Sequence, residues 1–218
     1  MISAAAWLVV SYLAGAFPTS YLAGRLFRGI DLREHGSRNL GATNVYRVLG
    51  WRYAIPVALV DVAKGAGPVW SAGAWGPDIE LFPLYCGVAA VVGHVFSVFV
   101  GWKGGKGVAT ASGVVLALAP KALLASLVVW VALVWLTGYV SVGSVASAAV
   151  FPVAAYFLEH ARGGVLAIEI ALAAFLVWKH RANLQRLARG TENRFGRRAR
   201  PRAAGPAAGG SEPAGRPS

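Results

Sequence analysis

Apolar stretches recur along this chain from residue 3 to residue 179, and no single motif constrains the fold as strongly. Seven are read, at about 3–24, 54–75, 81–101, 105–120, 122–138, 142–158 and 163–179. A helix needs about 20 apolar residues to cross a hydrocarbon core of roughly 30 Å. Only 14% of the residues are charged, where a soluble domain carries roughly 25%. Mean hydropathy is +0.56. No strand alternation runs long enough for a barrel, and no fixed-period repeat is present. The expectation is an all-α integral membrane protein, a seven-transmembrane-helix bundle over residues 1–198. A disordered Pro/Ala/Gly-rich tail is expected over 199–218. The first stretch has no basic leader and no clear cleavage site, so it reads as a helix that stays rather than a signal peptide. The fourth and sixth stretches are short. A helix over 105–120 rises about 24 Å, so it needs burial in the bundle, a thinned bilayer, or an end lining a wet cavity.

The chain carries a net charge of +12. In a soluble protein that would suggest nucleic acid, but no aromatic interleaving or recognised motif accompanies it, and no nucleic-acid partner is expected. The basic residues fall between and after the apolar stretches, so they report topology first. With the N-terminus outside, Arg25, Arg28, Arg33, Arg38, Arg47, Arg52, Lys103, Lys106 and the whole region after Lys179 fall on the cytoplasmic side. The outside keeps only Lys121 and Arg162. That asymmetry follows the positive-inside rule, so the N-terminus is expected outside and the C-terminus in the cytoplasm. The basic segment 179–198 has a helical look and suits anionic lipid. The lone cysteine, Cys86, excludes an intrachain disulfide and a cysteine zinc cluster.

Three polar segments then lie on one side: residues 35–50, "HGSRNLGATNVYRVLG"; residues 101–110, "GWKGGKGVAT"; and residues 180–192, "HRANLQRLARGTE". Ser37, Arg38, Asn39, Thr43, Asn44 and Arg47 supply hydroxyl, amide and guanidinium donors without a carboxylate. Arginine suits bidentate contacts with phosphate. The glycines of the second segment let backbone approach an anion, two lysines flank them, and a helix begins just after. His180, Asn183 and Arg186 share one helical face. Taken singly, each has an ordinary reading: a Gly-Lys loop as a turn with a positive-inside anchor, His180 as an interfacial anchor. Taken together, three donor-rich, acid-poor segments describe a phosphate pocket at the membrane surface. A nucleotide loop is excluded by spacing. A P-loop ending at Lys106 needs Gly at 100 and Ser or Thr at 107, where the chain has Val100 and Gly107. Deeper in the apolar stretches, Asp61 and Lys64 are spaced to pair and orient helices. His94 reads as a satisfied core histidine. Glu169 reads as a helix–helix hydrogen bond or a buried protonated acid.

"SRNLGATNVYR", "GHVFSVFVGWKGGKGVAT" and "HRANLQRLARGTE" resemble the three motifs of the bacterial acyl-phosphate-dependent glycerol-3-phosphate acyltransferases, the PlsY family. They occur in order, at family-like separations, from the first apolar stretch to about residue 198. "DVAKG", residues 61–65, looks like a further family feature. The family's loop has Phe before the first lysine, and this chain has Trp102. No histidine here has Asp five positions on, as the other large glycerolipid acyltransferase class requires.

The resemblance implies transfer of a fatty acyl group from acyl phosphate to the 1-hydroxyl of glycerol 3-phosphate, giving lysophosphatidate and phosphate in a bacterial inner membrane. No cofactor or metal is implied, since Lys and Arg supply positive charge, and the enzyme is expected to act as a monomer among membrane lipids. Carried over residue by residue, Ser37, Arg47, Lys106, His180 and Asn183 hold glycerol 3-phosphate. Gly104, Gly105, Lys106 and Gly107 hold the acyl-phosphate head through backbone N–H groups, and Ser37, Lys106, His180 and Asn183 are the catalytic set. Arg38, Asn39, Thr43, Asn44, Lys103 and Glu192 support them, Glu192 by pairing with nearby arginines. An acyl phosphate has a good leaving group, so alignment and charge stabilisation suffice and direct attack is expected. His180 or a substrate phosphate oxygen takes the proton. A transporter for a phosphorylated metabolite would also need a cationic pocket, but would show a route across the bilayer and corresponding halves. A non-catalytic anchored protein would explain the basic tail but not the motifs.

Overall fold

The structure, a computed structural model, describes residues 3–196. The expected tail over 199–218 lies outside the described residues. Ten α-helices and no strand occur among the described residues. Each of the seven apolar stretches forms a helix. The first is broken: α1 (Ala4–Ala16) and α2 (Thr19–Arg28) are separated at Phe17 and Pro18, because Pro18 has no N–H to continue the ladder and disfavours the α conformation before it. α3 (Ala42–Leu49) is an unexpected amphipathic helix inside the first polar segment. α4 (Trp51–Trp75), α5 (Phe82–Val95) and α6 (Val108–Leu118) follow, with a short 3-10 turn at Val98–Val100. α7 (Pro120–Thr137), α8 (Val140–Leu158), α9 (Gly163–Lys179) and α10 (Arg181–Ala188) complete the chain. The sixth stretch is longer than expected, since α8 has 19 residues, about 28 Å. The fourth is shorter still, with α6 at 11 residues. Among the described residues of 179–198, the helical look holds over Lys179 at the end of α9 and over α10.

Among the described residues, four helical stretches are long and apolar enough to cross a membrane: Ala4–Arg28, Phe82–Val100, Pro120–Thr137 and Val140–Leu158. α9 and α10 pass the same test only as one pair, which is bent by 48° at His180. α7 exposes Leu124, Leu127, Val128, Val131 and Trp135, an apolar face that suits lipid rather than water. The interior is tight where small residues face each other. A Cβ on Gly65 of α4 would strike the Thr110 carbonyl of α6, and one on Gly113 of α6 would strike the Val62 carbonyl of α4. The same reciprocity joins α1 and α5, where Gly15 meets Ala90 and Gly93 meets Tyr12. Backbones close to this distance in the way small residues permit between membrane helices. α6 is therefore held by burial against α4, and its N-terminal end opens onto a cavity, two of the conditions its shortness demanded.

Asp61 and Lys64 of α4 pair at 2.9 Å, as their spacing suggests. Thr19 Oγ1 donates to Asp61 Oδ1 at 2.8 Å, and Lys64 Nζ donates to the Phe17 carbonyl at 2.9 Å. The pair thus satisfies a carbonyl freed by the α1–α2 break. One expectation changes and one narrows toward its buried-acid alternative. His94 is buried but not satisfied, its Nδ1 having no hydrogen-bond partner. Glu169 is buried with Oε2 likewise unpartnered, so that atom makes no helix–helix hydrogen bond.

Candidate active site

The first polar segment is folded from within. Arg33 grips Asp31, with NH2 to Oδ2 at 2.6 Å and Nε to Oδ1 at 3.0 Å, and its NH1 donates to the Val100 carbonyl at 3.0 Å. This guanidinium holds the Asp31 carboxyl below its usual range. Asn44 is fully buried. Its Oδ1 accepts from the Ser37 N–H at 2.7 Å, and its Nδ2 donates to the carbonyls of Leu32 and His35, both at 3.1 Å. Its place in the site is therefore to shape the loop that carries Ser37. Arg38 turns with φ at 58°, a left-handed conformation uncommon away from glycine. Arg47, on α3, reaches toward the chain end, NH2 to the Asn193 carbonyl at 3.4 Å. Its Nε is buried with no partner.

The glycine loop is anchored differently from expectation. The Gly104 and Gly105 N–H groups donate to the carbonyls of Val95 and His94, both at 3.1 Å. They are spent on the end of α5 and are not presented to an anion. Their lack of a side chain has another cause: a Cβ on Gly104 would strike the His94 carbonyl, and one on Gly105 would strike the His94 ring and the Leu40 carbonyl. Gly107 turns with φ at 84° into the first turn of α6. The donors left for an anion are the backbone beyond Gly105 and the Lys106 ammonium. Lys103 is exposed and does not line the cavity, which favours a helix-end anchor over a substrate contact.

The third segment completes the arrangement. Lys106 Nζ donates to Asn183 Oδ1 at 2.6 Å, and Asn183 Nδ2 donates to Glu192 Oε1 at 2.6 Å. Ser141 of α8 donates to the same oxygen at 3.0 Å, and Arg186 Nε donates to Glu192 Oε2 at 2.8 Å. Glu192 does pair with an arginine, and it also fixes which way the Asn183 amide faces. Burial pushes the Lys106 ammonium down to about 8, against the opposing pull of Glu192. His180, at the bend beyond the last apolar helix, donates from Nδ1 to the Leu176 carbonyl at 2.8 Å, since a carbonyl can only accept. That leaves Nε2 with its lone pair. Burial, then the nearby Lys106 charge, push His180 down to about 4, so the ring is neutral.

One cavity of about 820 Å³ joins these parts. Ser37, Arg38, Asn39, Thr43, Asn44 and Arg47 line it from the first segment, Gly104, Gly105, Lys106 and Gly107 from the second, and His180, Asn183 and Glu192 from the third. An apolar arm continues past Leu116, Leu123, Leu127 and Trp130. A smaller pocket of about 60 Å³ shares its wall and ends against Phe151 and Leu172. Sequence reasoning missed Asp61, His94, Ser141 and Lys179 on this lining. Asp61 and His94 were readable as buried polar groups in apolar helices. Nothing in the sequence marks Ser141.

A family model for glycerol-3-phosphate acyltransferase matches residues 5–190. A glycerol-3-phosphate acyltransferase of Chlorobaculum parvum is 41% identical, the match covering 91% of this chain and 100% of the relative. One from Trichlorobacter lovleyi is 46% identical over 87% of this chain and 96% of its own. Among solved structures, the glycerol 3-phosphate form of PlsY, an integral membrane glycerol 3-phosphate acyltransferase, aligns with a TM-score of 0.82 at 38% identity, covering 89% of this chain and 96% of that one. Its lysophosphatidic acid form aligns with a TM-score of 0.79 at 37% identity. With three polar segments on one cavity and these relatives along nearly the whole described chain, the protein belongs to the glycerol-3-phosphate acyltransferase family.

Proposed function

We propose that the enzyme transfers a fatty acyl group directly from acyl phosphate to the 1-hydroxyl of glycerol 3-phosphate, releasing lysophosphatidate and phosphate. The observation that carries the reading is a pair of half-buried cationic groups on one cavity with no carboxylate, among the described residues, paired directly to either. Arg47 Nε is buried with no partner, and Lys106, lowered by burial to about 8, stays mostly charged near neutral pH with the Asn183 amide oxygen as its partner. A buried donor without a partner is rare in folded proteins, and an anion would satisfy Arg47 and balance the charge of Lys106. Arg47, Lys106, Asn183 and Ser37 bind the phosphate of glycerol 3-phosphate. The acyl-phosphate head sits at Lys106, Gly107 and the first turn of α6, where unspent N–H groups and the helix terminus favour an anion. The acyl chain follows the apolar arm.

The neutral Nε2 of His180 accepts a hydrogen bond from the attacking hydroxyl and orients it. An imidazole near 4 is a weak base, so a substrate phosphate oxygen is the better proton acceptor. The oxygen attacks the acyl carbon, the carbonyl-to-phosphate bond breaks, and phosphate leaves with its charge held by Lys106. Ser37 lacks an adjacent base and does not form an acyl-enzyme. Supporting roles fall to Arg38, Asn39 and Thr43 at the cavity mouth, and to Asn44 and Glu192 behind it. The distribution of basic residues supports a cavity on the cytoplasmic side, with the N-terminus outside and the C-terminus inside, and the seven apolar stretches and the family resemblance support seven spans in a bacterial inner membrane. The protein acts as a monomer, and residues 1–198 form the catalytic domain.

The test is purified protein with acyl phosphate and labelled glycerol 3-phosphate. Lysophosphatidate is expected from the native chain and none from Lys106→Ala that has inserted normally. Full activity of that variant would remove the loop from the site. Acylated Ser37 trapped and seen by mass spectrometry would overturn direct transfer.

A further inference from the structure

His94 is the one buried histidine on the cavity that the proposed chemistry does not use. It closes α5, and its ring is 7% exposed. Three things meet around it. Its carbonyl accepts the Gly105 N–H at 3.1 Å. Its ring lies so close under Gly105 that a Cβ there would overlap Nε2, and the Leu40 carbonyl of the first polar segment closes on the same point. Its Nδ1 makes no hydrogen bond and faces Asp61 Oδ1 at 3.9 Å. Asp61 cannot move toward or away from the ring freely, because Lys64 holds Oδ1 at 2.9 Å and Thr19 holds it at 2.8 Å. Lys64 is in turn tied to the Phe17 carbonyl at the α1–α2 break. A rigid stack therefore runs from that break through the Asp61–Lys64 pair and the imidazole to Gly105, one residue before Lys106.

We infer that His94, backed by Asp61 and Lys64, is a positioning residue that sets the height of the 104–107 loop and its seating against the first polar segment. The support is steric. Nε2 and Cδ2 of the ring lie where a Cβ on Gly105 would sit, so the bulk of the ring is what the loop rests on. With the bulk gone, Gly105 can sink toward α5, carrying the Lys106 ammonium and the following N–H groups away from both phosphates. The inference rests on the proposed phosphate-binding role of the loop.

The experiment shortens residue 94 in steps, as His94→Leu, His94→Val and His94→Ala, and measures KM for both substrates with kcat at saturation. Leucine fills nearly the same space and should keep KM within about threefold of native, while Ala raises KM for both phosphates by about tenfold or more with a smaller change in kcat, the signature of lost binding geometry. Val should fall between. Where Ala fails to insert, Leu against Val carries the comparison. Equal loss in Leu and Ala would overturn the inference by assigning chemistry to a ring nitrogen. So would unchanged KM throughout, or a fall in kcat alone, which reports less folded enzyme. If Lys106→Ala were active the phosphate-binding reading itself would fail. A dead Lys106→Ala beside a native His94→Ala would refute only the role of His94.

Discussion

Glu192→Gln separates electrostatics from shape at the centre of the site. Glutamine keeps the volume and one oxygen for Asn183 and Ser141, but it removes the charge and the oxygen that accepts from Arg186. Lys106 and Glu192 are bridged by the Asn183 amide through two hydrogen bonds of 2.6 Å. Ammonium and carboxylate are therefore roughly 7 Å apart, and at an effective dielectric of about 20 their attraction is about 2 kcal/mol. That attraction favours the charged lysine, which burial alone would push further down. Removing it weakens proton affinity by more than tenfold, since about 1.4 kcal/mol corresponds to one decade.

The native enzyme should lose kcat/KM as pH rises through about 8, where Lys106 gives up its proton. In Glu192→Gln that fall should come more than one pH unit earlier. At pH 7.5 roughly three quarters of native Lys106 is charged against about a tenth in the variant, a loss of about eightfold. At pH 6 most of that deficit should disappear. The assay is kcat/KM for glycerol 3-phosphate across pH 5.5–9, which reports ionisation of the free enzyme. A deficit equal at pH 6 and pH 7.5, with the alkaline fall unmoved, would refute the electrostatic link. The stability effect has the opposite sense. Lys106 is depressed on folding, so its burial disfavours the native state fully below about pH 8, and the penalty is relieved as pH rises toward the ordinary lysine value.

Further outcomes follow from the packing and the site. Arg47→Ala should raise KM for glycerol 3-phosphate by about tenfold or more, as expected for losing a charged hydrogen bond of roughly 1.5–3 kcal/mol; unchanged kcat and KM would reject that contact. Gly113→Val should push α6 off the Val62 carbonyl and lower thermal stability in detergent by about 1–3 kcal/mol, the usual penalty of overpacking. Asp61→Asn should destabilise by about 3–5 kcal/mol because Lys64 is left buried without its counter-charge, and adding Lys64→Met should recover most of the loss. Thermal unfolding of the single and double variants decides it.

Which parts of this molecule can be read before it is folded depends on what carries the information. The helices are legible because an apolar run has few alternatives in a bilayer, and each of the seven stretches is helical. The breaks are less so. Pro18 announces the end of α1, but α3 hides inside a polar segment because its eight residues carry only two turns of pattern. The site was legible as donor types, since Ser37, Arg47, Lys106, His180 and Asn183 do line one cavity. Its wiring was not. Gly104 and Gly105 look like an anion cradle in any sequence, yet their N–H groups end on Val95 and His94. The fact that decides this, two carbonyls at the end of α5 lying within reach, is a property of helix packing, not of the loop. Ser141 is the limiting case. A serine in an apolar helix is ordinary until the chain's far end brings Glu192 to within 3.0 Å of it. Residue chemistry therefore specified which donor types meet on the cavity, whereas packing specified which of those donors are left free.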